Sequence, residues 1–340
     1  MAIKTLRDIE VLENKNVLVR VDFDVPFNSN GQVANTTRIK ACLPTIKYLL
    51  EKGAKVTLLT KLGRPNNGVK ISTEVLAPLL AQLLNTKVSW FPTLSYSPNL
   101  GNLILLENVR FYPEEEKQDT AFVKALTAPY DLYVNEAFAM CHRKDSSVSL
   151  APKFLPSFAG FRLIKEIETL TKLLENPQRP FIAIIGGAKL ETKIPVIENL
   201  AHISNKVLIG GKLSLELSPK LLKLPNILNS QDWVERKDVG PQTIALFKSE
   251  IAKAKTIVWN GPMGMFEDEK YAKGTEEIAR YISNLDAFKV VGGGDTIAAI
   301  TKAGVLDKMD FVSTGGGAML TFLSGKPMPG IIALEQSEVC

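Results

Sequence analysis

Residues 181–189 read Phe-Ile-Ala-Ile-Ile-Gly-Gly-Ala-Lys: an unbroken apolar run closed by two glycines and a lysine. A short continuous apolar run is what a strand buried on both faces looks like. Glycine directly after it permits a tight turn and a close backbone approach to a ligand. Similar runs recur on either side. In the first half they are Val17–Val21, Lys55–Leu59, Leu103–Leu106 and Leu132–Val134; in the second half they are Val207–Ile209, Thr256–Trp259, Lys289–Val291 and Phe311–Ser313. Amphipathic stretches of helical length lie between them: Ile39–Glu51, Glu74–Leu84, Ala121–Thr127, Ile194–Ile203, Thr275–Ser283 and Thr296–Ala303. This alternation predicts an α/β chain with doubly wound parallel sheets covered on both faces. The Pro-bearing Leu150–Pro156 and the amphipathic Phe161–Leu174 read as a junction, and Pro177 and Pro180 open the second half.

The chain has 340 residues, enough for about two domains of ~150 residues each. With 45% hydrophobic and 23% charged residues it can build two cores, which excludes a disordered protein. The net charge of +5 is too mild to imply nucleic acid, and no basic arm exists. Three cysteines, far apart, suggest no disulfide framework, and two histidines leave little material for a zinc site. No apolar run approaches the ~20 residues of a membrane span, and the N-terminus lacks a signal peptide's apolar core. A cytoplasmic location with no membrane or nucleic-acid partner is expected.

The residues after each strand separate the two halves, and in open parallel sheets ligands collect at those strand ends. First-half strands lead into Asp22-Phe23-Asp24, Lys61-Leu62-Gly63-Arg64, Glu107-Asn-Val-Arg110 and Asn135-Glu136 with His142-Arg143. Arg38 adds another cation, and together these arginines suit a small polyanion, with the aspartates orienting them. Arg20, inside a strand, is ranked lowest because it can point into a structural ion pair. His142 could carry a proton or serve as a satisfied polar residue. Second-half strands lead into Gly186-Gly187-Ala188-Lys189, Gly210-Gly211, Asn260-Gly261, Gly292-Gly293-Gly294-Asp295 and Gly315-Gly316-Gly317. Bare backbone followed by a helix N-terminus suits phosphate, so this half reads as a nucleotide or polyphosphate site. Asp295 with Thr296 could serve Mg²⁺, and Lys193 follows Lys189 at helical spacing. Neither a Gly-x-Gly-x-x-Gly fingerprint nor a P-loop occurs, which disfavours a nicotinamide dehydrogenase and excludes a P-loop enzyme.

Arg20-Val-Asp-Phe-Asp-Val-Pro26, Leu62-Gly-Arg-Pro65, Leu106-Glu-Asn-Val-Arg-Phe111, Tyr133-Val-Asn-Glu-Ala-Phe138, Gly186-Gly-Ala-Lys189, Trp259–Glu267, Gly292–Thr296 and Ser313–Ala318 resemble, in order, the motif series of phosphoglycerate kinases. The resemblance implies two domains facing each other across a cleft, joined by a hinge and a linking helix. It implies Mg²⁺-dependent transfer between 1,3-bisphosphoglycerate and ADP, giving 3-phosphoglycerate and ATP, by a monomer. The expected division is 1–160 for the glycerate, 161–176 as linking helix, 177–326 for the nucleotide, and 327–340 as a tail that can return to the first domain. By the same resemblance Asp22, Phe23, Asp24, Arg38, Lys61, Leu62, Gly63, Arg64, Arg110 and Arg143 hold the glycerate. Gly187, Ala188, Lys193, Gly240, Asn260, Glu267, Gly293, Gly294, Asp295 and Thr296 hold the nucleotide, with Asp295 at the metal. Arg38 and Lys189 meet the phosphoryl group in flight, with Gly316 and Gly317 at a helix N-terminus. A catalytically weakened relative acting as a binding or regulatory module is the alternative; retained Arg38, Lys189, Lys193 and Asp295 argue against it.

The chain departs from the family pattern in several places. Asp24 stands where Asn is usual, Lys61 where His is usual, and Glu136 where Asp is usual. Ala139-Met140-Cys141 replaces Gly-Thr-Ala, and Lys212-Leu213 follows Gly210-Gly211. The stretch from there to Asp238 is much shorter than in typical members, beside the expected adenine wall. The opposite charges gained at positions 24 and 61 predict a compensating Asp24–Lys61 ion pair.

Overall fold

The structure, a computed structural model, describes residues 3–63, 70–95 and 101–337. Its first sheet contains β1 (Asn16–Arg20), β2 (Lys55–Leu59), β3 (Ser89–Phe91), β4 (Leu103–Leu106), β5 (Leu132–Asn135) and β6 (Ser157–Ala159). They lie in the order β3-β4-β2-β1-β5-β6, every pair parallel. The second half adds β7 (Phe181–Ile185), β8 (Lys206–Ile209), β9 (Ile227–Asn229), β10 (Trp233–Val234), β11 (Asp238–Val239), β12 (Thr256–Asn260), β13 (Phe288–Gly292) and β14 (Phe311–Ser313). Here β10 and β11 form an antiparallel ribbon, and the rest form a parallel sheet in the order β14-β13-β12-β7-β8-β9.

Each sheet fills one side of its first strand and then restarts on the other; in the first sheet β4 inserts between β2 and the edge strand β3. The order therefore reverses between β1 and β5 in one sheet and between β7 and β12 in the other. A crevice opens at such a point because the connections on its two sides leave in opposite directions. The apolar runs quoted above are the central strands, and β7 is buried along its whole length. By contrast β3, β6 and β9, which the sequence reading missed, are three-residue strands at sheet edges.

Helices cover the sheets because their apolar residues recur at helical spacing. In α1 (Thr37–Glu51), Ile39, Cys42, Ile46 and Leu49 are buried and join β1 and β2 in the first core. After it come α2 (Ala77–Leu84), α3 (Thr120–Thr127), α4 (Ser146–Ser149) and α5 (Phe161–Glu175). The second half carries α6 (Leu190–Ile203), α7 (Leu213–Glu216), α8 (Pro219–Leu222), α9 (Pro241–Ile251), α10 (Lys273–Ser283), α11 (Gly294–Lys302) and α12 (Gly316–Leu323). Its core holds Phe247 and Ile251 of α9 with Ile278 and Ile282 of α10. The last helix, α13 (Pro329–Glu335), packs on α4, and its Gly330 N–H donates to the carbonyl of Cys141, in the loop before α4, at 2.9 Å. Among the described residues no helix is long and apolar enough to cross a membrane.

Contacts divide the chain into two compact units, Met1–Ile167 with Pro327–Cys340, and Glu168–Lys326. The boundary falls inside α5. In the first unit the start of that helix is held by Glu136, whose carboxylate accepts from the Arg162 N–H (3.0 and 3.1 Å) and the Leu163 N–H (3.2 Å). Gly160 has to be glycine, because a Cβ there would overlap the Glu136 carboxylate. Burial pushes the Glu136 carboxyl up to about 7, against hydrogen bonds from Thr45, Arg162 and Leu163. An acid raised above its ordinary value of 4.5 favours folding fully when protonated, and that contribution is lost as pH rises from about 4.5 through about 7. Glu136→Gln keeps the cap without the ionisation, so it should gain on the parent between pH 5 and pH 8 by up to about 3 kcal/mol. Thermal midpoints of both proteins at the two pH values check this; a pH-independent difference would mean that Glu136 is ionised throughout.

Candidate active site

In the first unit the carboxyl ends of β1 and β2 build a compact charged cluster. Register pairs Arg20 with Leu59 and with Asn135, so the residues beyond them emerge side by side. The Phe23 N–H donates to Thr60 Oγ1 at 3.0 Å, which fixes the chain as it leaves the sheet. Asp22 and Asp24 follow. Arg38, in the first turn of α1, donates through Nη1 to Asp22 Oδ1 (3.3 Å) and to the Asp24 carbonyl (3.1 Å). Asp24 Oδ1 accepts from the Gly63 N–H at 2.9 Å, and its Oδ2 lies 3.9 Å from Arg110 Nη1. Burial pushes the Asp22 carboxyl up, while Arg38 pulls it down and Asp24 adds to the rise. Asn108 clamps the loop after β2, accepting from the Leu62 N–H (3.2 Å) and donating to the Leu62 carbonyl (2.6 Å).

Two orphaned polar atoms stand out in this cluster. Arg110 Nη1 and Asp22 Oδ2 are buried without a hydrogen-bond partner among the described residues. A buried donor left unmade is costly unless a ligand completes it. Beside them Arg143 is half-exposed; its Nε donates to both Asp145 oxygens at 3.2 Å and its Nη2 to Glu116 at 3.2 Å. Phe23 and Leu62 are in the core, so only their backbone is open to a ligand. Arg64 lies outside the described residues. Arg20 is fully buried, donating to Ser147 Oγ and to the Val21 carbonyl, as expected for an inward-facing residue. Burial and Arg143 push His142 down, so at neutral pH its imidazole is neutral.

The expected Asp24–Lys61 pair is a correction. Lys61 Nζ pairs instead with Asp145 Oδ2 at 2.7 Å, with Glu115 at 3.8 Å and Glu116 at 3.7 Å, while Asp24 turns to Gly63 and Arg110. The lysine side chain is 1% exposed and sits among acids that come from later loops, so sequence neighbours could not reveal its partner.

In the second unit the glycine turns close on one another at the β7–β12 reversal. The Gly186 N–H donates to the Asn260 carbonyl (3.0 Å) and the Gly187 N–H to the Pro262 carbonyl (2.8 Å). Lys193, reaching back from α6, donates to the Gly186 and Asn260 carbonyls. Burial pulls its ammonium down to about 8, with Asp295 opposing and Lys189 adding to the fall. The Gly261 N–H donates to Thr296 Oγ1 at 2.6 Å, tying the β12 loop to α11. Two helix N-termini meet there: a Cβ on Gly316 would sit 3.6 Å from the Gly293 Cα and 3.9 Å from the Gly294 nitrogen. Gly294, Asp295 and Gly317 are exposed, as are Ala188 and Lys189 at the start of α6. This is an unencumbered backbone surface with a lysine beneath it, the arrangement that receives phosphate.

Two expected nucleotide residues stand differently. Glu267 is exposed on the loop after β12. Gly240 precedes α9, whose N-terminus is already satisfied by Asp232, accepting from Gln242 (3.0 Å) and Thr243 (2.7 Å). Sequence reasoning missed Asp145, Glu115, Asn108 and Asp232; only Asn108 sat within a quoted motif.

A family model described as phosphoglycerate kinase matches residues 6–219 and 218–326. The chain belongs to the phosphoglycerate kinase family. A phosphoglycerate kinase of Moorella thermoacetica is 40% identical over 394 aligned positions, covering 99% of this chain and all of that protein. One from Prochlorococcus marinus is 41% identical, covering 97% and 98%. Among solved structures, the phosphoglycerate kinase of Coxiella burnetii superposes with a TM-score of 0.85 at 34% identity, and that of Pyrococcus horikoshii with 0.88 at 32%; both cover 98% of this chain and 99% of the other. Membership makes the chain a phosphotransferase that takes a nucleotide and a small-molecule substrate. The 394 aligned positions exceed the chain's 340 residues, so the Moorella phosphoglycerate kinase has positions with no counterpart here. The family match passes from one segment to the next at residues 218–219, inside the shortened block. There the chain has only α7, α8, β9 and the β10–β11 ribbon between Gly211 and α9.

Proposed function

We propose that the protein transfers a phosphoryl group reversibly between 1,3-bisphosphoglycerate and ADP, giving 3-phosphoglycerate and ATP, with Mg²⁺. The observation that carries this reading is the meeting of the α11 and α12 N-termini in the same unit as the glycine turns that buried Lys193 holds. Bare N–H groups at helix starts hold phosphate oxygens without a side chain. In this reading Gly187, Ala188, Gly293, Gly294 and Thr296 line the nucleotide site, Lys193 pulls its carbonyl lining into shape, and Gly316 and Gly317 offer N–H groups to the moving phosphoryl. Glu267 and Asn260 remain candidates for the nucleoside. On the first unit Arg38, Arg110, Arg143 and Gly63 would bind the glycerate, and Arg110 Nη1, buried without a hydrogen bond, supports that role.

Among the described residues no three His, Cys, Asp or Glu side chains converge as a metal cage. One exposed carboxylate, Asp295 at the start of α11, fits Mg²⁺ that arrives on nucleotide phosphates and keeps most of its waters. When bound, the ion neutralises charge on the phosphates. In the ATP-consuming direction a carboxylate oxygen of 3-phosphoglycerate attacks the γ-phosphorus. The bond to the bridging oxygen breaks, and ADP leaves with that electron pair. The nucleophile is already ionised at neutral pH, so the reaction needs no general base. Arg38 and Lys189 would neutralise charge in transit, which is most of what such a transfer requires. A coupled assay with purified protein, ADP, Mg²⁺ and 1,3-bisphosphoglycerate tests the reading; absence of ATP formation would sink it.

The shortened block bears on nucleotide choice. Fewer residues are available to wall a base, while the turns that would hold phosphates are complete. GTP is expected to serve with an efficiency within about tenfold of ATP, a gap of ~1.4 kcal/mol. Comparing kcat/KM for the two nucleotides checks this, and a preference for ATP above about a thousandfold, ~4 kcal/mol, would contradict it.

A further inference from the structure

The charge cluster around Lys61 assigns that residue a different task from the one its position in the motif suggests. Two cations, Arg20 and Lys61, and two anions, Glu115 and Asp145, are all buried in the first unit. Glu115 is held by Ser147, whose N–H and Oγ donate at 2.8 and 2.7 Å. Lys61 stands 2.7 Å from Asp145 and 3.8 Å from Glu115. Asp145 is therefore shared: one side faces the Lys61 ammonium, and both oxygens accept from Arg143 Nε. Arg143 is the only one of these cations with substantial exposure, 40% of its side chain.

We infer that Lys61 is a positioning residue that acts on 3-phosphoglycerate through Asp145 and Arg143 and does not touch the substrate. The inference rests on the proposed glycerate site. Its physical basis is charge balance in a site where water cannot screen: with Lys61 present the buried pairs cancel, and Arg143 is oriented by a carboxylate already partly neutralised. Remove the lysine charge, and Asp145 with Glu115 leaves an uncompensated negative charge in the interior. Arg143 is then the nearest mobile cation, and it is drawn inward, away from an incoming anion. An ammonium enclosed by three carboxylates, with 1% of its side chain exposed, has no direct path to a ligand.

The test is a double-mutant cycle with Lys61→Met, Asp145→Asn and both, read by kinetics and by calorimetric titration of 3-phosphoglycerate. Lys61→Met should raise the KM for 3-phosphoglycerate by about tenfold or more and leave the KM for ATP within about twofold. The double mutant should be no worse than Asp145→Asn alone, within about twofold, because the buried charge balances again. Effects that multiply would show that Lys61 acts independently of Asp145, and the inference falls. Equal damage to both KM values would indicate a merely structural role, with the same consequence. If Lys61→Met does not fold, Lys61→Gln, which retains polarity and length, replaces it in the cycle and is read by the same two comparisons. Failure of the unmutated protein to bind 3-phosphoglycerate would sink the proposed function itself, separately from the cycle.

Discussion

Arg38→Ala is expected to lower turnover by about 10²–10³, ~3–4 kcal/mol, with a much smaller change in 3-phosphoglycerate binding. Arg38 spends one nitrogen, Nη1, on Asp22 and the Asp24 carbonyl, and its other guanidinium nitrogens make no hydrogen bond to a described residue. A guanidinium oriented from one side and open on the other suits charge that appears only during transfer. Arg110→Ala should behave oppositely, raising the KM for 3-phosphoglycerate with little change in kcat. Arg110 Nη1 is buried without a hydrogen bond, so the free protein carries a desolvation cost that bound anion would offset. The Arg110→Ala protein should therefore be as stable as the parent or slightly more so, despite weaker binding. Steady-state kinetics and thermal midpoints of both variants check the pair. If the two mutants exchange kinetic signatures, the assignment of roles is wrong.

Gly261→Ala is expected to abolish nucleotide binding while 3-phosphoglycerate binding survives. Gly261 sits at φ +99°, and a Cβ there would overlap both the Gly186 carbonyl and the Lys193 ammonium. Neither neighbour can retreat, because Gly186 is hydrogen-bonded to Asn260, and Lys193 is buried beneath the turn. Backbone strain of ~1–2 kcal/mol and an overpacking cost of ~1–3 kcal/mol suggest a loss of ~2–5 kcal/mol, large enough to dismantle the glycine surface. Calorimetric titration with each substrate separately reads the outcome. Retained ATP affinity would show that the turn is not part of the nucleotide site.

Much of the fold was legible in order along the chain. Phe181–Ile185, Lys55–Leu59, Leu103–Leu106 and Phe311–Ser313 are strands with the bounds their apolar runs suggest. The amphipathic segments named from the sequence are helices, most with starts a few residues early or late, because amphipathic spacing marks a face better than an end; α9 and α12 were not named. The β10–β11 ribbon left no trace either. The ribbon of β10 and β11 has two residues per strand, and it turns through Glu235 and Arg236 at φ +49° and +57°. Neither is the Asn or Gly such a turn prefers, so no sequence signal marks it; Glu235 is instead tied to Lys270 and Tyr271, both at 2.5 Å. Gly240 is expected at the nucleotide only by the family resemblance; the cap that Asp232, next to the ribbon, places on the helix after it left no sequence signal.

What the sequence by itself determined is the division of labour: which strand ends carry cations and which carry glycines. Those are local facts, since a strand's apolar run and the residues directly after it are contiguous in the chain. What only the tertiary structure decided is which buried charged and polar groups pair. Lys61 finds Asp145 across 84 residues, and Arg20 finds Ser147 across 127. In a buried cluster the partner is chosen by which side chains share the same few ångströms of low-dielectric space, and sequence separation says nothing about that distance.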